Sequence, residues 1–401
     1  MAYHLQILSI HQACQTSLES KYLPLSTMKE LLDLFEARNR DPHISYAVAT
    51  VLGVEGASCR RPGARMLISA NGRVAGSVHG GCLERAVICQ GQAALLDGAN
   101  HLLSFDITDQ DDLALDSKLE CRGKVWFSIE VLPADEAWPL EDIVRQVRAR
   151  REPAALITEI QLEDNSVFFY SMALFSDSVD LFDRLEPELR DKTADVLYEQ
   201  KTLGITKESP DEVLIEWLCP PISLVLFGAG ADVPPMVKLA STLGHEVTVI
   251  DRRPDFAIAE NFPGAYIVFS AKPEHAAQYF RCDERTAVVL MNHHYEADRD
   301  ILASLVSLKI PYIALLGPKR HTTQILNELQ ARGLDVSPIE HSLHGPAGLD
   351  IGAETPEEVA LAILAEIQST LAGRDGGKLR NRKQPIQVDF FPTDVPSAIS
   401  V

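Results

Sequence analysis

From residue 222 onward the hydrophobic positions fall into short β-branched runs separated by longer stretches with helical spacing. Strands are predicted at 222–227, 246–250, 265–269, 286–291 and 311–316. Helices are predicted near 232–243, 273–280, 296–308, 319–332 and 356–371. Alternation of this kind predicts an α/β architecture, a Rossmann-like, mainly parallel, doubly wound sheet. The last helix opens on Thr355-Pro356-Glu357-Glu358, a capping box, which sharpens its boundary.

The first half has a different pattern and predicts a mixed α+β region. Met28 opens an amphipathic helix with Leu31, Leu32, Leu34 and Phe35 on its apolar side. A strand is predicted over 45–54, and two more, 64–69 and 73–78, meet at Asn71-Gly72, a strong hairpin signal. A helix starting at Leu83 directs Val87, Ile88, Leu95 and Leu96 inward, and strands follow at 101–107 and 124–132. Beyond these lie a charged helix at 141–151, a hairpin over 154–160 and 166–174, and a helix over 187–201. Pro220-Pro221 marks the passage to the second domain. The division expected is a peripheral segment 1–27, an α+β domain 28–134, intervening helices and hairpin 135–219, the Rossmann-like domain 220–372 and a flexible basic tail 373–401.

Composition narrows the function classes. A length of 401 residues, 46% hydrophobic and 23% charged, suits an ordinary globular protein of two domains. The net charge of −20 argues against a nucleic-acid or anionic-membrane binder. No apolar run reaches the roughly 18 residues of a membrane span, and the N-terminus lacks a secretory pattern. Seven cysteines, odd in number and without a Cys-x-x-Cys pair, fit a reducing compartment, so a cytoplasmic protein is expected.

Two places combine turn geometry with chemistry. In Gly228-Ala229-Gly230 a buried strand runs into a helix, and Asp251 ends the next strand. That is the order of a dinucleotide-binding unit, in which the turn faces a diphosphate and the acid meets a ribose hydroxyl. Val233 stands where a third glycine belongs, so the ligand is open, with NAD(P) among the candidates. His293 and His294 follow the strand ending at Met291, while Gly317, Lys319 and Arg320 follow the next, both at the edge where such sheets bind ligands. Asp350 sits in a glycine-rich loop before the last helix.

The second place is Gly80-Gly81-Cys82-Leu83-Glu84, at a strand-to-helix junction. Grouped N–H donors and the helix dipole suit an anion there. Cys82 in the first turn suits thiolate or soft-metal contact, making it the candidate metal ligand. A tight turn with a buried structural cysteine fits the same residues. Arg61 and Arg65 lie in the preceding loop and strand as phosphate-matching forks, or as members of a solvated loop paired with acids. Cys121 could face the same cleft or be simply buried.

Taken together these motifs resemble the XdhC/CoxI family of xanthine dehydrogenase accessory factors. The resemblance covers roughly residues 28–372 and rests on two blocks. The first is Arg61-Pro62-Gly63-Ala64-Arg65-Met66 with Gly76-Ser77-Val78-His79-Gly80-Gly81-Cys82-Leu83-Glu84. The second runs from Phe227-Gly228-Ala229-Gly230 through Asp251-Arg252-Arg253-Pro254 to Gly345-Pro346-Ala347-Gly348-Leu349-Asp350-Ile351-Gly352. Arg122 stands where the family has a second glycine, and Pro318 and His294 also depart from its pattern. The resemblance implies a chaperone that binds molybdenum cofactor, a phosphate-bearing pterin dithiolene. Such a protein assists sulfuration with a cysteine desulfurase and serves an apo molybdenum hydroxylase, as a homodimer by analogy. The alternative is an NAD(P)-dependent Rossmann oxidoreductase.

Overall fold

The computed structural model describes residues 27–56, 60–106, 123–163, 166–175, 178–204 and 212–382. The acidic loop before Cys121, Cys121 itself, the 1–26 segment and the tail from Lys383 lie outside the described residues.

Three sheets organise the chain. The first has five strands in the order β3-β2-β1-β5-β4, formed by Tyr46–Gly56 (β1), Arg65–Ser69 (β2), Gly72–Gly76 (β3), His101–Asp106 (β4) and Gly123–Leu132 (β5). Helix α1 (Thr27–Asn39) covers one face through Leu31, Leu34 and Phe35, which are all buried. Helix α2 (Cys82–Asp97) covers the other. The Asn71-Gly72 hairpin forms, with Gly72 at φ 113°. One expectation fails: Leu96, assigned inward, is 91% exposed. Ala94 is buried in its place, and Gly91 lies so close to Ile68 that a Cβ there would clash. Close approach of α2 to β2 at Gly91 sets the buried stripe one step away from Leu96.

Helix α3 (Pro139–Arg150) leads to a second, three-stranded antiparallel sheet, order β7-β6-β8. Its strands are β6 (Ala154–Glu163), β7 (Ser166–Phe175) and β8 (Glu212–Leu218), with helices α4 (Val179–Phe182) and α5 (Pro187–Glu199) between the last two. Strand β8 has no counterpart in the sequence-based expectation. Its central Glu216 breaks the apolar pattern, yet Glu216 is fully buried beside Arg65.

The third sheet has six strands, all parallel, in the order β11-β10-β9-β12-β13-β14. They are Ser223–Phe227 (β9), Glu246–Asp251 (β10), Ile267–Ser270 (β11), Thr286–Leu290 (β12), Tyr312–Leu315 (β13) and the short Leu343–His344 (β14). Numbered within the sheet, this is the order 3-2-1-4-5-6 of a Rossmann fold. Helices α6 (Val233–Thr242) and α9 (Pro356–Leu371) pack on one face. Helices α7 (Tyr295–Leu305) and α8 (Lys319–Ala331) pack on the other. The predicted helix near 273–280 is a 3₁₀ segment, Pro273–Gln278. The Thr355/Glu358 capping box is present with both reciprocal bonds. Residues 373–376, the start of the segment expected as a flexible tail, run back against the end of α9. There Arg374 N–H bonds to Ser369 O, and Gly376 lies against Leu349.

Arg148 and Arg151, at the end of α3, bind the amino edge of this sheet through Glu246 and Asp283. The contact leaves the carboxyl edge, where ligands bind in such folds, free of that junction.

Candidate functional site

At the carboxyl edge the direction of strand order reverses between β9 and β12, which opens a crevice. A cleft of about 260 Å³ lies there, lined by the loops after three strands. Gly230 follows β9, Asp251 to Arg253 and Phe256 follow β10, and Met291 to His294 follow β12. Gly228 makes the turn possible: its φ is 125°, and a Cβ would run into the carbonyl of Met291 on the neighbouring strand. Ala229 and Gly230 complete the turn, and Val233 is fully buried in the core against the sheet.

The cleft's acid is already engaged. Asp251 is 2% exposed. One carboxylate oxygen accepts from Ala229 N–H at 2.8 Å and from Arg253 Nη2 at 2.9 Å. The other accepts from Arg253 N–H at 2.8 Å and Nε at 3.0 Å. Burial pushes its pKa up, but the Arg253 and Ala229 hydrogen bonds outweigh burial and hold it below the usual carboxylate range. Asp251 therefore orders the turn and Arg253, with its acceptor directions filled from within the chain. Arg253 in turn lays its guanidinium on the Phe256 ring, 3.7 Å from the centroid.

On the opposite wall His293 and His294 do different things. His293 adopts φ 50°, unusual for a non-glycine residue, and its Nε2 lies 2.9 Å from Asp232 Oδ2. His294 is the N-cap of α7, where its Nδ1 accepts from Ala297 N–H at 3.3 Å. Beneath them Asn292 donates to buried Asp298 at 2.9 Å, and Asp298 meets His321 of α8 at 3.2 Å. Burial raises the Asp298 pKa against the opposing contacts of Asn292 and His321. This chain of contacts ties the 292–294 loop to α8.

Gly317, Lys319 and Arg320 are exposed at the start of α8, outside the residues that line the cleft. Asp350 is exposed in the 345–352 loop and is likewise absent from the lining. That loop is held by Glu366 of α9, which accepts from Gly348 N–H at 2.8 Å.

The first-sheet candidates gather around the N-terminus of α2. Gly81 is its N-cap at φ 66° and ψ −131°, with no side-chain cap. Gly80 and Gly81 are both exposed, and a Cβ on either would meet nothing within 4 Å. Cys82 is the first helical residue. Glu84 accepts from Ser77 Oγ at 2.5 Å and pairs with Arg73 at 3.5 Å. Arg65 does not reach this turn. It is buried, and its fork closes on Glu216, because an unpaired guanidinium under β2 would be strongly unfavourable. Arg61 is half-buried and engaged by its surroundings. The described contacts of this cluster stay within the first sheet and, through Arg65 and Glu216, the second, and none joins it to the cleft at β9 and β12. Among the described residues no three His, Cys, Asp or Glu side chains cluster to hold a metal ion.

Sequence reasoning about the cleft took Asn292 only as the start of the 292–294 loop and gave no role to Phe256, Asp232 or, near α2, His79. His79 is buried; its Nδ1–H donates to Gly80 O at 2.8 Å, and its Nε2 has no partner. Asp232 and His293 face each other across 61 positions of sequence, a pairing that no local pattern signals.

The fold and cleft define a protein that carries a Rossmann-type ligand crevice beside a separate sheet with a glycine turn at a helix N-terminus. The chain belongs to the XdhC and CoxI family. The XdhC and CoxI family pattern matches residues 40–106, and that of the XdhC Rossmann domain matches 224–367. A probable xanthine dehydrogenase subunit of Bacillus subtilis is 30% identical over 325 residues, 80% of this chain and 92% of that protein. Molybdenum cofactor insertion chaperone PaoD of Escherichia coli is 21% identical, over 80% of this chain and 82% of its own. The crystal structure of a xanthine dehydrogenase from Bacillus halodurans superposes with a TM-score of 0.63 at 25% identity. That match covers 87% of this chain and 97% of the other. Among the described residues no helix is long and apolar enough to cross a membrane.

Proposed function

We propose that this protein is an accessory factor for a molybdenum hydroxylase of the xanthine dehydrogenase type. It takes molybdenum cofactor as cargo, shields it, assists its sulfuration with a cysteine desulfurase and passes it to the apo-enzyme. It works as a cytoplasmic homodimer.

The observation that carries the reading is the turn at Gly80 and Gly81, exposed at the N-terminus of a 16-residue helix with open space over both glycines. Backbone N–H groups and the helix dipole meet there and suit an anionic cargo. Cys82 follows as the first helical residue, and cysteine sulfur is the ligand type that a soft sulfur–metal centre accepts. Two relatives, one named as a molybdenum cofactor insertion chaperone and one as a probable xanthine dehydrogenase component, support this class of cargo and client. An NAD-dependent oxidoreductase has less support, because Asp251, the residue expected on the unsubstituted ribose, has its oxygens engaged by Ala229 and Arg253.

The test is to express the protein in a cofactor-producing host and measure bound molybdenum and fluorescent oxidised pterin. Both are expected with the wild-type chain, and both fall in Cys82→Ala while its unfolding transition is unchanged. A chain that purifies free of pterin and molybdenum from such a host would falsify the proposal.

A further inference from the structure

We propose that the cleft at the carboxyl edge of β9, β10 and β12 binds a phosphomonoester carried on a planar heterocycle, with Arg252 as the phosphate contact. This goes beyond the accessory role and does not depend on which part of the chain holds the cargo.

Four observations lead there. The acid that would recognise an unsubstituted ribose diol is engaged: four donors from Ala229 and Arg253 fill the oxygens of buried Asp251. Of the basic side chains in the lining, Arg253 is paired with Asp251 and His293 faces Asp232, which leaves the Arg252 guanidinium as the one without an ion-pair partner among the described residues. Arg252 is exposed, so its fork is available to a dianionic oxygen cluster. Finally, Arg253 and Phe256 are already stacked at 3.7 Å, and Phe256 is 44% exposed, a flat surface that extends to a heterocycle.

The same geometry weakens the usual diphosphate contact. Ala229 N–H, one of the turn's donors, is directed at Asp251. Asp232 stands as N-cap of α6, placing a carboxylate where a diphosphate would approach the helix. At about 260 Å³ the cleft also lies at or below the small end of ligand pockets, which span roughly 300–1,000 Å³. A compact monoester fits these constraints better than an extended dinucleotide held by its diphosphate.

The ligand has two sources with the same chemistry: a 2′-phosphorylated adenosine, or the phosphate-bearing pterin proposed as cargo. The full chain, freed of small molecules, is titrated calorimetrically with adenosine 2′-phosphate, adenosine, NADP and NAD. Adenosine 2′-phosphate is expected to bind at least about tenfold more tightly than adenosine, and NADP than NAD, the gain of one bidentate charged contact. Arg252→Ala removes both differences and leaves the unfolding midpoint in place. Equal affinity for phosphorylated and unphosphorylated probes, or no binding of adenosine 2′-phosphate, overturns the proposal. So does an Arg252→Ala variant that keeps the full preference. A competition arm then assigns the source: pterin phosphate released from a molybdoenzyme either displaces the bound adenosine 2′-phosphate, which supports the pterin, or leaves it in place, which supports the nucleotide. Absence of pterin from the purified protein would remove the accessory reading and leave these titrations unaffected.

Discussion

Arg65 and Glu216 stand 151 positions apart in the chain and close a buried bidentate ion pair, Nη1 to Oε1 at 2.7 Å and Nη2 to Oε2 at 2.5 Å. The pair joins β2 of the first sheet to β8 of the second. Burial favours loss of the Arg65 charge, and Glu216 more than restores it, so the guanidinium stays charged. Glu216→Gln removes the hydrogen-bonded acid and leaves the buried charge only the longer-range attraction of Glu130, with an expected loss of about 3 kcal/mol in urea unfolding. Replacing both partners, Arg65→Met with Glu216→Leu, removes the charge as well as its partner. The double variant is expected to be more stable than the single one. A double variant as unstable as the sum of the two singles would show that the pair is not what links these sheets.

Glu366 fixes the loop that precedes α9. It accepts from Tyr312 OH at 2.6 Å and from Gly348 N–H at 2.8 Å, and it meets His344 Nδ1 at 3.2 Å. Burial raises the Glu366 pKa, and the contacts of His344, Tyr312 and Gly348 outweigh it, leaving the carboxyl below its ordinary range. An acid depressed in this way contributes stability above its unfolded pKa and loses it as pH falls through the folded value. Glu366→Ala is expected to cost about 1–3 kcal/mol and to speed amide exchange at Gly348. Unchanged exchange at Gly348 would mean that the loop is held by something else.

The sequence was most legible where the signal is local. The capping box at Thr355 and Glu358, the Asn71-Gly72 hairpin and the alternating pattern after residue 222 each depend on residues within a turn of one another. Strand β8 was missed because Glu216 looks like a surface residue until Arg65 is beside it. The candidate cleft was legible as a place, since strand order alone locates the crevice after β9, β10 and β12. Its chemistry was not. Whether Asp251 faces a ligand depends on where the Arg253 side chain turns, and the chain carries no periodic signal for that.

Gly228 and Gly80 make a contrasting pair of substitutions. At Gly228 an added Cβ would meet the Met291 carbonyl, and φ is 125°; β9 and β12 are hydrogen-bonded neighbours that cannot separate to relieve it. Gly228→Ala is expected to destabilise by about 2–4 kcal/mol in thermal or urea unfolding. At Gly80 a Cβ meets nothing, so Gly80→Ala stays within about 0.5 kcal/mol of wild type. Gly80→Leu keeps the fold but fills the space over the turn, and pterin content is expected to fall. If Gly80→Leu retained full pterin content, the turn would not be where the cargo approaches.

His245 makes the fold sensitive to acid in a predictable window. His245, Ile222 and Arg285 immediately precede Glu246, Ser223 and Thr286, which the register aligns across β10, β9 and β12. His245 is 8% exposed, and its Nδ1 has no hydrogen-bond partner. Burial, followed by repulsion from Arg285, pushes its pKa down from 6.5 to about 4. The unfolded chain therefore takes up a proton near pH 6.5 that the folded chain refuses until about pH 4, so stability rises with pH across that interval. The full drop corresponds to about 3 kcal/mol, lost progressively as pH falls through the window. His245→Leu removes the titrating group and keeps an apolar filling beside Ile222. Urea unfolding at several pH values between about 7 and 4 is expected to show a flatter acid limb in this variant than in the wild type. Should both proteins lose stability in parallel, His245 would not be the source of acid sensitivity in this window; the carboxylates Asp251 and Glu366, whose values are depressed, lose their contribution only at lower pH.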